Sequence, residues 1–382
     1  MKPKFDCRHF RGDKPCRFAA GGPFRCETCG DYSPMGTRIL IIKLDAIGDV
    51  ARTTCLLPAL AKKFRPLHVT WLVAAEGADL LRDNPLIDAL LPYDAASLER
   101  LRVERFDILL SLDKTARACS VAETVKARDR RGFGLSEFGT VYPLDERAEY
   151  AFELGLSDEL KFRRNARTYQ DILFEIIGMK FDGEDYFLPL NEAQRAFARQ
   201  FGERAQIPSG DTVVGLNLGG GGAFANKMWG AERCIEFALL LRKAMPKSWV
   251  LLFGAERERE RMAQVAARSG RRILNTGATN TIKQFQALLG RCDAVVTGDS
   301  LGMHLAVAEK RPVVVLFGPT CAQEIELYGR GVKIAPAVDC APCYKGTCEQ
   351  ALTCMDAIGA AGALKALKKL LTPILPPAGR GG

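Results

Sequence analysis

From Arg38 onward, short apolar runs alternate with longer stretches whose apolar residues recur at helical spacing. Ile39-Leu40-Ile41-Ile42-Lys43-Leu44 is nearly continuous and rich in branched side chains, as in a parallel strand covered on both faces. Asp45-Ala46-Ile47-Gly48-Asp49 reads as a turn, and Val50, Leu56, Leu57, Leu60 and Phe64 repeat along one helical face. Further strands are predicted at 68–73, 89–92 and 106–112, with a helix at 77–82. Residues 145–200 are more polar and helical, as in a connection. The alternation restarts with strands predicted at 213–218, 249–253, 272–275, 294–297 and 313–317. Helices are predicted between them at 231–244, 256–269, 282–289 and 303–308. This order predicts βαβ units and mainly parallel sheets. Two such halves predict an α/β protein of two Rossmann-like domains facing a central cleft, with ligands beyond the carboxyl ends of the strands.

Composition adds limits to this picture. With 47% hydrophobic and 26% charged residues the chain fits a soluble globular class. No apolar run approaches the roughly 18–20 residues of a membrane helix. The start, Met1-Lys2-Pro3-Lys4-Phe5-Asp6-Cys7, lacks the apolar stretch of a signal peptide, so a cytoplasmic location is expected. The net charge of +9 suits an anionic substrate or peripheral contact with an anionic inner-membrane face, or it is an ordinary basic surface. No helix-turn-helix, RRM or KH pattern is present, and no nucleic-acid partner is expected. The expected domains are a Cys-rich extension (1–35), a first Rossmann-like domain (36–195) and a second (196–335). A Cys-rich knuckle (336–358) and a helix with a disordered tail (359–382) follow.

Three places carry candidate chemistry. Asp49 follows a strand and opens a helix; it is either a general base at the sheet edge or a first-turn acid that stabilises the helix. Gly219–Gly222, with Ala223 and Lys227 behind it, is either a phosphate cradle or a plain surface loop. It matches neither a Walker A loop nor G-x-G-x-x-G. Gly298-Asp299-Ser300-Leu301-Gly302-Met303-His304 joins a strand to an apolar helix, whose N-terminus suits an anion. His304, one of three histidines, is either a donor to that anion or a core residue. Arg117, Lys126 and Arg128 face an anionic acceptor or are simply solvated.

Eight of the thirteen cysteines fall in two quartets, Cys7, Cys16, Cys26 and Cys29 near the start and Cys340, Cys343, Cys348 and Cys354 near the end. In a reducing compartment such clusters suggest metal rather than disulfides. The second quartet, C-x2-C-x4-C-x5-C, suits a tetrahedral four-thiolate site. The first has wider gaps, with His9 as a substitute ligand, and a shared site or an iron–sulfur cluster stays open.

Gly48-Asp49-Val50, Lys227-Met228-Trp229, Gly254-Ala255-Glu256, Asp299-Ser300-x-Gly302-Met303-His304 and Phe317-Gly318-Pro319-Thr320 together resemble glycosyltransferase family 9, the heptosyltransferases, across about residues 36–335. The resemblance implies a GT-B fold and inverting transfer without a catalytic metal. It implies Asp49 as base, with Lys227 and the N–H groups around Gly302 on the leaving diphosphate. Glu256 would hold the ribose, and Asp299 and His304 would meet donor sugar and phosphates. Asn217, Gly222, Ala223, Ser300 and Met303 complete the implied donor set. The implied donor is ADP-heptose or a related nucleotide sugar; the acceptor is a lipopolysaccharide core, another envelope glycan or a protein. Branches of the family that glycosylate proteins carry a cysteine metal finger, and the second quartet is similar, which implies structural zinc or iron at one or two sites. Leu301 displaces the family's glycine by one residue, which puts the sugar's identity in doubt. The rival readings are a nucleotide-sugar epimerase of the same fold and a metal-finger binding protein on a degenerate scaffold.

Overall fold

A computed structural model of the chain describes residues 2–19, 22, 25–220 and 225–372. The tail predicted beyond Leu375 lies outside them. The chain divides into two compact units, Met1–Leu156 with Gln170–Phe187, and Ser157–Tyr169 with Leu188–Gly382.

The first unit holds strands β1 (Thr37–Ile42), β2 (Leu67–Val73), β3 (Ala89–Pro92), β4 (Arg105–Ser111), β5 (Lys126–Leu135) and β6 (Val141–Pro143). Their spatial order is β3-β2-β1-β4-β5-β6, and β6 alone runs antiparallel to its neighbour. Ile39, Leu40, Ile41, Ile42 and Trp71 have no exposed surface. Burying each such side chain contributes about 1.5–3 kcal/mol, so the central strand anchors the unit.

The second unit holds β7 (Thr212–Asn217), β8 (Ser248–Phe253), β9 (Ile273–Asn275), β10 (Ala294–Gly298), β11 (Val313–Leu316) and β12 (Gly331–Ile334). The order is β12-β11-β10-β7-β8-β9, all parallel. Helix Ala360–Leu371 belongs to this unit, with Ala360, Ala363 and Leu367 buried in the same core as Val296, Val314 and Phe237.

Both sheets are doubly wound. Winding reverses between β1 and β4 in one, and between β7 and β10 in the other, and ligands of such sheets sit at the carboxyl edge of that pair.

The predicted strands are present, with ends shifted by a residue or so, and the helix expected at 77–82 spans Ala75–Leu81. The pattern missed β5, whose first six residues include Lys126, Arg128, Asp129, Arg130 and Arg131. Three of those charges are paired, Asp129 with Arg131 and Arg147, and Arg130 with Glu123. It also missed helices Ala95–Val103 and Ala116–Thr124, where side-chain oxygens of Asp94 and Thr115 accept from the N–H groups of Ser97 and Ala118. The N-terminal extension contains, among its described residues, only an isolated bridge between Cys7 and Pro34. Arg8 ties it to the Asp88 carboxylate and the Leu67 carbonyl.

Gly132 in β5 has φ +97°, and a Cβ there would lie 1.9 Å from the Ser111 carbonyl oxygen of β4. Gly132→Ala should therefore cost about 2–4 kcal/mol, through left-handed strain and a forced shift of paired backbone. Urea unfolding checks this; a wild-type midpoint would show that the two strands separate there at little cost.

Candidate active site

At the first switch point a lysine interrupts the apolar run. Lys43 is buried, and its Nζ pairs with Asp113 just beyond β4 and donates to the Asp45 carbonyl at 2.7 Å. The second Asp113 oxygen accepts from the Leu44 N–H at 2.5 Å. The pair thus pins the carboxyl ends of β1 and β4 together. Asp49 sits in the first turn of helix Ile47–Thr53, 2.8 Å from Arg52 Nη2 and 3.9 Å from Lys43 Nζ. Its side chain keeps 36% of its surface exposed, so a flanked carboxylate faces outward where a substrate hydroxyl can reach it. Arg117 pairs with Asp45 in the same loop and lies over the Tyr93 ring. Lys126 and Arg128 are exposed at the amino end of β5, at the opposite edge of the sheet from Asp49.

At the second switch point the link is neutral. Asn217 ends β7 buried, with Nδ2 3.0 Å from Thr297 Oγ1, 2.9 Å from Ser300 Oγ and 3.2 Å from the Gly219 carbonyl. A Cβ on Gly302 would lie 2.6 Å from that Nδ2, so only glycine lets helix Leu301–Ala308 approach. Lys227 Nζ is 3.1 Å from Asp299 Oδ2. Burial alone would raise the Asp299 carboxyl; the Lys227 and His304 charges outweigh it and hold it below the usual aspartate range. His304 is buried on the same helix, and Met303 is wholly buried, a packing residue.

Beside these groups lies a cavity of about 200 Å³, lined by Asn217, Gly219, Glu258, Thr276, Phe285 and Gly302 among others. Leu301 also lines it, so the displaced glycine leaves a side chain on the cavity wall. The cavity's carboxylate is Glu258, nearly buried and accepting from the Ala255 N–H at 2.8 Å. Glu256 points outward, 65% exposed and paired with Arg259. Sequence reasoning missed Glu258, Thr276 and Phe285, although a Glu three residues past Ala255 carries half the signature of a capping box. Gly222 and Ala223 lie outside the described residues.

The family model for glycosyltransferase family 9 (heptosyltransferase) matches residues 95–353. The chain belongs to this family. It is a glycosyltransferase, and its two sheets are those of the GT-B fold. The match begins after Asp49, so it covers Asp113 and Arg117 of the first switch point but not Asp49 itself. The transferase is 24% identical to the lipopolysaccharide core heptosyltransferase OpsX of Haemophilus influenzae over 289 residues, covering 73% of this chain and 78% of that one. The E. coli ADP-heptose lps heptosyltransferase II superposes with a TM-score of 0.64 at 19% identity, covering 87% of this chain and 98% of that one. The iron-containing dodecameric glycosyltransferase TibC of E. coli superposes at 0.50 with 13% identity, covering 88% and 76%.

The transferase's cysteines are all free thiols. Burial raises the Cys354 thiol, and Cys343, Cys348 and Cys340 stand near enough to add to that effect. Cys7, Cys16, Cys26 and Cys29 line a single cavity of about 20 Å³ together with His9. Among the described residues no three His, Cys, Asp or Glu side chains stand in metal-holding geometry. No helix of the described residues is long and apolar enough to cross a membrane.

Removing one member of a buried ion pair strands the other charge, at a cost of about 3–5 kcal/mol. Lys43→Met should lose that much stability at neutral pH, and Lys43→Met with Asp113→Leu should lose less. The check is chemical denaturation of both variants; a single variant as stable as wild type would mean that the pair does not hold the strand ends.

Proposed function

We propose that this transferase moves a heptose, with inversion, from ADP-heptose or a close relative to a lipopolysaccharide core acceptor. The observation that carries the reading is the Lys227–Asp299 pair beside the N-terminus of helix Leu301–Ala308 and next to the cavity. A lysine and the N-terminus of a helix suit a diphosphate, and the apolar Phe285 wall with Glu258 suits a nucleoside. The named relatives supply the sugar and the acceptor class.

In this mechanism Asp49 takes the proton of the acceptor hydroxyl. The oxygen forms its bond to the anomeric carbon as the bond from that carbon to the diphosphate oxygen breaks on the opposite face. The electron pair leaves with ADP, whose charge Lys227 and the Gly302-side N–H groups stabilise. No divalent cation is required. The enzyme works in the cytoplasm, with peripheral contact to the inner membrane where its acceptor resides.

Cys340, Cys343, Cys348 and Cys354 are the ligands of one structural metal, zinc or iron, since four thiolates select these ions over magnesium or calcium. The C-x2-C-x4-C-x5-C spacing supports this. Cys7, Cys16, Cys26 and Cys29 are the candidate ligands of a second. Either ion would order loop segments by lending binding energy to folding.

Asp49→Asn should slow transfer by about 10²–10⁴-fold and leave ADP affinity within a few-fold, whereas Lys227→Ala should weaken ADP and slow turnover together. Initial rates in brief EDTA should match untreated enzyme. Near-normal turnover by Asp49→Asn would remove it from the mechanism, and donor turnover without acceptor would point to an epimerase.

For the thiols the measurement is elemental analysis of protein purified without added metal. Near-stoichiometric zinc or iron is expected in wild type and a lower content in Cys343→Ser. Less than about a tenth of an equivalent in wild type would mark them as ordinary cysteines, since structural zinc sites bind with apparent energies near 10 kcal/mol or more.

A further inference from the structure

The cysteine segment touches the donor site from two sides. Asn226, next to Lys227, donates from Nδ2 to the Lys345 carbonyl at 2.8 Å. On the far side of that loop, Trp229 Nε1 donates to the Ile358 carbonyl at 2.9 Å, and Arg233 Nε to the Asp356 carbonyl at 3.2 Å. The loop after β11 is held in the same way. The Cys343 and Tyr344 N–H groups both donate to the Pro319 carbonyl, at 3.1 and 2.9 Å. A Cβ on Gly318 would lie 2.8 Å from both Cys354 Sγ and Met355 Sδ, so those side chains pack directly on the Gly318 backbone. Lys227 itself has little slack, because its carbonyl would be 2.7 Å from a Cβ on Gly298. Tyr344 is fixed in turn, stacked on Phe162 at 5.4 Å with the Lys161 ammonium 3.8 Å from its ring.

We infer that Asn226 is a positioning residue that aims Lys227 at the diphosphate through its bond to the Lys345 carbonyl of the cysteine segment. The inference rests on the reading of Lys227 as the diphosphate's partner. A loop backbone fixed beforehand presents its ammonium to a phosphate at smaller entropic cost than a loose one, because the ordering need not happen on binding. The bond acts on the phosphate half of the ligand alone. It has no reason to alter how a nucleoside fills the cavity beside Phe285.

The test is calorimetric titration of the full chain with ADP and, separately, with adenosine. Asn226→Ala should weaken ADP about two- to tenfold, the range of one neutral hydrogen bond, with adenosine affinity and melting temperature unchanged. Asn226→Asp keeps the shape but sets a carboxylate against a carbonyl, and should weaken ADP at least as much. Lys227→Ala is the control. If Lys227→Ala weakens ADP and both Asn226 variants bind it like wild type, positioning is overturned and the donor reading stands. If ADP and adenosine weaken equally, or the melting temperature falls with them, Asn226 is only structural and the inference is overturned. If Lys227→Ala binds ADP like wild type, the donor reading itself fails and takes the inference with it.

Discussion

In a doubly wound sheet, the two strands where winding reverses end side by side at an open crevice. Their carboxyl ends need a tie, and whatever supplies it is polar and already at the ligand's edge. The first unit uses the buried Lys43–Asp113 pair and the second uses Asn217 with Thr297 and Ser300. The difference in charge matters. A buried ion pair is costly to form and worse to break, so Lys43 is a fixed cation against which Asp49 can be held. The neutral amide of Asn217 adds no charge and leaves room for Lys227 and Asp299 to set the local field.

Each candidate reactive group is therefore held by a neighbour that is itself held. Asp49 leans on Arg52 and Lys43, and Lys43 on Asp113. Lys227 is paired with Asp299, whose carboxyl its surroundings hold below the usual aspartate range. Such second-level support is what keeps a site in working geometry without reorganisation during the reaction.

The sheet was legible because a buried parallel strand is an uninterrupted apolar word, as in Val313–Leu316 and Ile39–Ile42. β5 was not, because its charged first half breaks the apolar pattern, and one partner of Asp129, Arg147, comes from beyond the next strand. The site was legible where a residue's place follows from a strand end, as for Asp49, Asn217 and Asp299. It was not legible where a turn decides between like neighbours. Glu256 and Glu258 alternate with arginines in one charged run, and only the short turn after Ala255 sends the second inward. Lys43 was visible as the one charge in an apolar run, but its partner Asp113 lies seventy residues away and only the sheet brings them together.

The chain passes between the two units at Leu156, at Tyr169 and again at Phe187. Residues Ser157–Tyr169 complete the second unit, and Gln170–Phe187 return to the first. Neither unit is a continuous stretch of polypeptide. Any single cut leaves a fragment carrying a piece of the other unit, so neither half can be traded between genes as a clean cassette.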